Sequence, residues 1–152
     1  MDLDKTDRKI LRELLINARI SITELGRKVG LSKTPVALRM KQREEAGLIT
    51  GYRAILSPIQ LGLSHVTFMQ IRLGDTRQQA LLQFNAAVRE IEEVEECYMI
   101  AGGFDYLLKV RSRDMADFRR VMAEQISALP HVSATSSFVA MEAVVEEGAI
   151  PL

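Results

Sequence analysis

The stretch from Ser21 to Ile49 contains two helix-start signals eleven positions apart, and it constrains the fold more than any other part of the chain. Ser21 and Glu24 have the S-x-x-E spacing of a capping box, in which each side chain satisfies a backbone N–H group at a helix start. Gly30 is suited to end the first short helix, because glycine adopts the left-handed conformation easily. Ser32 then predicts the start of a second helix. We interpret the pattern as a helix-turn-helix.

The second helix of this pair is basic and is predicted to run from Lys33 to Ala46, where Gly47 follows as the stop signal. Pro35 is compatible with its first turn, because the N–H groups there have no intrahelical partner. Val36, Met40 and Ala46 are predicted to pack inward. In a helix-turn-helix the second helix lies in the major groove of DNA. The side of this helix that faces away from the inward-packing residues is therefore predicted to read bases.

Cationic and polar side chains around this helix are the candidate DNA contacts. Lysine and arginine neutralise phosphates, glutamine pairs with adenine, and alanine and leucine touch thymine methyl groups. The residues predicted to face the groove, together with the cap, are Ser32, Lys33, Thr34, Ala37, Leu38, Lys41 and Gln42. The predicted phosphate contacts are Arg27, Lys28, Arg39 and Arg43. The alternative is that the stretch is only two packed helices of a bundle.

Charge is distributed unevenly along the chain, although the formal net charge is zero. Residues 1–50 carry 11 Lys or Arg and 7 Asp or Glu, giving +4, whereas residues 51–152 carry 9 and 13, giving −4. A basic N-terminal part followed by an acidic remainder is typical of a DNA-binding domain joined to a second domain with a different function. Ordinary scatter is the alternative explanation for so modest a split.

Several classes of protein are disfavoured by the composition. Cys97 is the single cysteine, which excludes an intrachain disulfide and suits a reducing cytosol. His65, His131 and Cys97 are far apart in the sequence, so no metal site is predicted. The N-terminus is charged, and no apolar run approaches the roughly 18 residues that span a membrane. Without a Ser/His/Asp set or a phosphate loop, we predict no enzyme and no membrane protein, and place the chain in the cytosol.

The remaining segments alternate between helix and strand patterns. A first helix is predicted over Asp4–Ala18, and a short strand and linker over Leu48–Ser57. After Gly62 the predicted order is strand, helix, strand, strand, helix, strand. These segments cover 65–73, 77–91, 94–101, 105–111, 115–129 and 132–145, with a turn at 102–103. The order predicts a ferredoxin-like βαββαβ sheet with helices on one face.

The chain is therefore predicted to have an α+β fold in three parts. Residues 1–50 form a helix-turn-helix domain, residues 51–63 a hinge strand and linker, and residues 64–152 the ferredoxin-like domain. Halves of this size bury a limited share of their surface alone. The sheet also has a free face and free edges that invite pairing with another copy. We therefore expect an oligomer.

Nearly the whole chain, from about Leu3 to Glu147, resembles the Lrp/AsnC family, the leucine-responsive or feast/famine transcriptional regulators. Residues 3–11 (L-D-K-T-D-R-K-I-L) are similar to the family's first helix, and residues 18–35 (A-R-I-S-I-T-E-L-G-R-K-V-G-L-S-K-T-P) to its helix-turn-helix. Residues 47–54 (G-L-I-T-G-Y-R-A) resemble its hinge strand, and residues 94–110 (V-E-E-C-Y-M-I-A-G-G-F-D-Y-L-L-K-V) its effector-domain hairpin. R-D-M-A-D-F (113–118) and S-F-V-A-M-E (137–142) complete the set.

The resemblance implies a winged-type, sequence-specific DNA-binding regulator of amino-acid metabolism in the bacterial or archaeal nucleoid. It further implies homodimers that pair through their sheets, often joined as a tetramer of dimers, and an amino-acid effector bound between subunits. The matching effector positions are Gly102, Gly103, Asp105, Tyr106, Met115, Thr135, Ser137, Val139 and Ala140. The hairpin sequence is close to the leucine-responsive branch, so we expect a small apolar effector such as leucine or proline and no other cofactor.

Elementary chemistry agrees with this effector region in part. Backbone N–H groups freed by Gly102 and Gly103 suit a carboxylate, and Asp105 suits an ammonium group. The simpler explanation is that the glycines form a tight hairpin and Asp105 caps the turn. Leu38 and Arg43 depart from the family pattern, in which they are usually polar and apolar, respectively. A ligand-independent architectural protein that wraps DNA remains the alternative function.

Overall fold

The computed structural model describes residues 2–146 and divides into two compact units. The first unit extends to Ile55, and the second comprises Leu56–Val144. The first unit is helical, and the second contains a four-stranded antiparallel sheet. This architecture confirms the predicted α+β class, with a helix-turn-helix region followed by a ferredoxin-like domain.

Three helices form the first unit, namely α1 (Lys5–Ile16), α2 (Ile22–Val29) and α3 (Lys33–Glu45). Their apolar residues recur one turn apart, so each helix presents one side to the others. The buried cluster between them consists of Ile10, Leu14, Leu25, Val29 and Val36. This cluster supports α3 from one side and leaves its other side to solvent.

Short polar side chains begin the helices of this unit. Asp4 caps α1, because its carboxylate accepts the Asp7 N–H at 2.7 Å. Ser21 caps α2 by accepting the Glu24 N–H at 3.1 Å. The Glu24 carboxylate binds an arginine one turn further along, so only half of the predicted capping box forms. Ser32 stands at the N-cap of α3, but its side chain makes no capping hydrogen bond, contrary to the prediction.

The turn between α2 and α3 depends on two glycines. Gly30 has φ 76°, in the left-handed region, as predicted. The Leu31 N–H donates to the Gly26 carbonyl at 2.9 Å. A Cβ atom on Gly26 would lie 2.6 Å from the Leu31 carbonyl oxygen, which is closer than real Cβ contacts allow. The turn therefore needs a glycine inside α2 as well as at its end.

The segment after α3 differs from the prediction. Residues 46–64 are all described, and none of them belongs to a strand; a turn occupies 58–62. The predicted hinge strand is therefore wrong for the single chain, because the segment has no neighbouring strand to satisfy its backbone groups. It is held instead by side chains. The Tyr52 hydroxyl donates to the Glu44 carboxylate at 2.8 Å, and Ile49 packs against the helical core.

The second unit has the predicted element order. It consists of β1 (His65–Leu73), α4 (Gln78–Val88), β2 (Val94–Met99), β3 (Tyr106–Ser112), α5 (Met115–Val121) and β4 (Val132–Val139). The sheet order is β2-β3-β1-β4, and all three pairings are antiparallel. Several element ends differ from the prediction by one to three residues, and the end of the last strand differs by six. Helix α5 continues as a π-helical turn over Met122–Ile126, and the last strand ends at Val139 instead of residue 145.

One face of the sheet is covered by the two helices. Alternate residues of β1 and β3 point to this face and are buried against α4 and α5. The largest members of the cluster are Met69, Ile71, Leu108, Tyr106, Phe84 and Phe118. The opposite face has no covering element among the described residues. Phe68 and Phe138 are cross-strand partners there, and Phe138 is 53% exposed.

Candidate functional site

The predicted groove-facing residues of α3 share one exposed face of the helix. Positions 33, 34, 37, 38, 41 and 42 are all exposed. Val36 is buried on the opposite side, and Met40 is partly buried against the same core, as predicted. Ala46 is exposed instead of packed inward, because α3 has already ended at Glu45. The exposed face offers two ammonium groups, a hydroxyl, an amide and two small apolar groups to a partner.

Two of the predicted phosphate contacts lie on the other side of α3. The Arg39 guanidinium donates to the Asp7 carboxylate at 2.9 Å and to Asp4 at 2.6 Å. The Arg43 guanidinium donates to the second Asp7 oxygen, also at 2.9 Å. The Asp7 side chain is 2% exposed. Neither Arg39 nor Arg43 belongs to the exposed face, so we leave both out of the candidate interface.

The other two predicted phosphate contacts are accessible. Arg27 is 72% exposed and pairs with Glu24 through two hydrogen bonds, at 2.6 and 3.0 Å. Hydrogen bonding to this carboxylate raises the pKa of Arg27 and lowers the pKa of Glu24. Lys28 pairs with Glu13 at 2.6 Å. Solvent screens ion pairs of this kind, so phosphate groups can compete for both cations.

The effector residues near the hairpin have intrachain partners. Gly102 and Gly103 lie in an exposed loop after β2. The Asp105 carboxylate accepts the Leu73 N–H at 2.7 Å, and its backbone N–H donates to the Ile71 carbonyl at 2.9 Å. In the single chain, Asp105 therefore fixes the end of β1, which is a structural role different from the predicted cap of the hairpin turn.

Tyr106 belongs to the core of the second unit. Its ring packs on Phe84 at a centroid distance of 4.3 Å, and its hydroxyl donates to the Asn85 side-chain oxygen at 2.8 Å. Burial raises the pKa of the Tyr106 hydroxyl. Tyr106 also lines a surface cavity of about 470 Å³ between α4 and β2, together with Asn85, Val88, Arg89, Val94, Glu95, Glu96, Cys97 and Met99. Burial raises the pKa of the Cys97 thiol, which therefore stays protonated.

The register of the sheet separates the predicted effector residues into two groups. One row across the sheet joins Tyr106, Ile71 and Thr135, so Thr135 lies at the hairpin end. A second row, four residues further along the strands, joins Val110, Thr67 and Val139. Four residues of strand span about 13 Å, which exceeds the reach of a small amino acid.

The second group therefore lies at the far end of the sheet. Ala140 follows Val139 and donates its N–H to the Val66 carbonyl at 2.9 Å. Met115 begins α5 beyond the end of β3, away from the hairpin. Ser137, opposite Met69, stands between the two groups. Within one chain, Thr135 thus lies near the residues around Asp105, whereas Met115, Val139 and Ala140 do not.

Residues 2–146 contain no group of three or more His, Cys, Asp or Glu side chains placed to hold a metal ion. Within the same residues, no helix combines the length and apolar character that crossing a membrane requires.

Two family models match the chain in consecutive parts. The AsnC-type helix-turn-helix domain matches residues 3–42. The Lrp/AsnC ligand binding domain matches residues 66–150. The two matches correspond to the helical unit and the sheet unit described above.

Relatives match over nearly their whole length. A proline dehydrogenase transcriptional activator from Rhodobacter capsulatus is 74% identical over 145 residues, which cover 95% of this chain and 94% of that protein. A leucine-responsive regulatory protein from Salmonella typhimurium is 45% identical over 143 residues, which cover 94% of this chain and 87% of that protein.

Solved structures share the complete architecture. A transcriptional regulator from Neisseria meningitidis, solved as an L-Met complex, superposes with a TM-score of 0.93 at 33% identity and covers 99% of this chain and 97% of its own. E. coli AsnC superposes with a TM-score of 0.90 at 27% identity and covers 99% of this chain and 100% of its own.

Proposed function

The chain belongs to the Lrp/AsnC family of DNA-binding transcription regulators, and from that premise we propose how it reads DNA and what controls it. The exposed face of α3 carries the proposal. Six exposed positions on successive turns of α3 point away from the core, and their side chains are of types that contact bases or phosphates in a DNA groove. Lys33 and Lys41 neutralise phosphates, Thr34 and Gln42 hydrogen-bond to base edges, and Ala37 and Leu38 contact thymine methyl groups. Arg27 and Lys28 add phosphate contacts from α2, and Ser32 adds one from the N-cap of α3.

The DNA-binding part is tested by selection from random duplexes followed by footprinting. A sequence-specific regulator enriches a common pseudo-palindromic motif and protects discrete sites on longer DNA. Uniform protection without an enriched motif would contradict sequence-specific reading and would indicate the architectural role instead. The assay needs defined salt concentrations, because phosphate contacts make the affinity strongly salt-dependent.

The effector that we propose is an amino acid, with proline as the first candidate and leucine as the second. The relative at 74% identity is an activator of proline dehydrogenase transcription. Two similar structures, from Neisseria meningitidis and Mycobacterium tuberculosis, contain L-Met or L-methionine. An effector regulates only if it binds two states of the protein with different affinity, so we propose that proline shifts either assembly or DNA affinity.

The proposed pocket lies between two copies of the chain. Its first side is the loop of Gly102 and Gly103 with Asp105, Tyr106 and Thr135, where loop N–H groups receive the carboxylate and Asp105 receives the ammonium group. The second side is formed by Met115, Val139 and Ala140 of another copy, and Ser137 lies between the two groups on β4. The separation of these two groups by about 13 Å within one sheet supports a shared pocket.

The uncovered face of the sheet supports the assembly that such a pocket requires. Phe68 and Phe138 lie side by side on that face, and Tyr98 is exposed on β2, at the opposite edge of the sheet from β4. Apolar surface of this kind is stabilised when a second sheet covers it. We propose that two chains pair through this face and that dimers join further, as a tetramer of dimers, in the cytosol.

A thermal-shift screen of the twenty amino acids tests the effector. A ligand that binds the native state raises the melting temperature, and the increase grows with ligand concentration. Proline is expected to give the largest shift and to alter operator binding at the same concentrations. No shift with any amino acid, at concentrations up to tens of millimolar, would contradict the proposed effector without affecting the DNA-binding proposal.

A further inference from the structure

Asp7 is a buried carboxylate in the helical unit to which the proposed function gives no role. One of its oxygens accepts from Arg39 and the other from Arg43, both at 2.9 Å. Asp4 accepts from the same Arg39 nitrogen at 2.6 Å. A carboxylate removed from water is unfavourable unless it is paired with opposite charge and hydrogen-bonded. We call Asp4, Asp7, Arg39 and Arg43 the Asp7 cluster.

The Asp7 cluster lies on the inner side of α3. Arg39 and Arg43 follow Val36 at three and seven positions, so all three residues share one side of the helix. Val36 is the one fully buried apolar residue that the described α3 contributes to the core, and Met40 is partly buried. Over the last two turns of α3, the ion pairs with Asp4 and Asp7 therefore attach the helix to the start of α1, beside the partial packing of Met40.

Arg43 is held on this side despite an imperfect environment. Its side chain is 18% exposed, and its Nε atom is buried without a hydrogen-bond partner. A buried donor of this kind disfavours the observed position of the side chain. The attraction to Asp7 must outweigh that penalty, because Arg43 stands near the C-terminal end of α3, where a long side chain has ready access to solvent.

We propose that Asp7 is a positioning residue for base readout. By holding Arg39 and Arg43 on the inner side, it fixes the rotation of α3 about its own axis and so aims the exposed face at the bases. It also keeps two cations away from the DNA phosphates, where they would strengthen binding to every sequence equally. The inference rests on the proposed role of α3 as the recognition helix.

The test is Asp7→Asn in the full chain, with binding to the selected operator and to a scrambled duplex measured at several salt concentrations. Asparagine keeps the shape but removes the charge that holds the arginines. The plot of log affinity against log salt is expected to steepen by about one to two units, since each freed cation adds about 0.9. The preference for operator over scrambled DNA is expected to fall about tenfold, a typical effect of one lost base contact.

The matched control is Asp2→Asn, which changes the net charge equally at an exposed position. It is expected to leave both the slope and the preference near their wild-type values. A purely structural role for Asp7 would weaken binding to both duplexes and leave the slope unchanged. Wild-type slope and preference in folded Asp7→Asn, judged by circular dichroism, would overturn the inference.

Arg43→Met keeps the test decisive if Asp7→Asn fails to fold. Methionine retains the length of the side chain, and Arg39 still pairs with Asp7. The slope is expected to stay unchanged while the operator preference falls. A slope that decreases by about one unit would place Arg43 on a phosphate and overturn the inference. If the wild-type chain itself shows no operator preference, the proposed recognition function fails; an intact preference that neither variant alters overturns only the role of Asp7.

Discussion

The exposed face of α3 and the predicted effector region differ in how completely one chain builds them. The six positions predicted to face the groove lie within ten residues of one helix, and their shared face exists as soon as that helix forms. The nine predicted effector positions come from a loop, the start of β3, a helix start and the edge strand β4 with the residue after it, and the register places most of them at two ends of the sheet. Helical periodicity can therefore predict the first site, whereas the second needs knowledge of strand register and of assembly.

The two regions also differ in how far their polar groups are already engaged. Lys41 has a weak exposed partner, Glu45, at 3.7 Å. In the sheet unit, the carboxylate of Asp105 already accepts the Leu73 N–H, and the Tyr106 hydroxyl already donates to Asn85. The proposed DNA site is thus available in the single chain, while an effector at the proposed pocket would have to share or displace existing hydrogen bonds. We expect single substitutions in the DNA site to have separate effects on DNA binding. In the effector site, we expect a substitution at one residue to alter the contacts of its neighbours as well.

The largest effect is expected from Phe138→Asp, which tests whether the sheet unit is completed by a second copy. A carboxylate on a covered apolar face costs about 3 kcal/mol or more without a partner, which corresponds to roughly a hundredfold weaker association. Light scattering should show a smaller particle, and the response to proline should disappear. The control is Leu82→Asp, at an exposed position on α4. An unchanged particle mass for Phe138→Asp would place the interface elsewhere.

The next largest effect concerns the helical unit. It tests whether the exposed face of α3 makes the proposed contacts with DNA. Lys33→Ala combined with Lys41→Ala removes two proposed phosphate contacts and should lower the salt slope by about two units. Operator affinity should fall by about tenfold to a hundredfold at moderate salt. Lys9→Ala, on the exposed side of α1, is the control variant. If operator affinity stays at the wild-type value at both low and high salt, α3 does not lie in the groove as proposed.

A smaller effect is expected from Asp105→Asn, which separates the two explanations of this residue. Asparagine retains a side-chain oxygen for the Leu73 N–H but lacks the charge that we propose for the ammonium group. The proline concentration for half-maximal response should rise about tenfold, while the melting temperature without proline stays close to wild type. Glu124→Gln is the control, since Glu124 is exposed on the π-helical turn. If Asp105→Asn responds to wild-type proline concentrations, the ammonium group lies elsewhere and only the structural role of Asp105 remains.

Much of the fold was accessible from the sequence, because periodicity and caps are local signals. The helix-turn-helix, the order of elements in the second unit and the exposed face of α3 all follow from spacing of three, four or two residues. The predicted hinge strand failed because a strand depends on a partner that the single chain lacks. The Asp7 cluster and the need for glycine at position 26 depend on contacts between separate helices, and neither leaves a periodic signal. Arg43 departed from the family pattern in the sequence, but its partner was visible only in the fold.

The smallest effect concerns Asp117, a carboxylate in the first turn of α5. Its side chain is 9% exposed, and hydrogen bonds from the Arg113 side chain and backbone and from Arg120 hold its pKa well below the usual range. A lowered pKa contributes stability that is present above about pH 4 and is lost as the pH falls through the lowered value. The melting temperature of Asp117→Asn should therefore lie below wild type at pH 7, and the difference should shrink between pH 4 and pH 2. A difference that stays constant over this range would show that shape, not charge, accounts for the contribution of Asp117, unlike the charge-dependent role that we infer for Asp7.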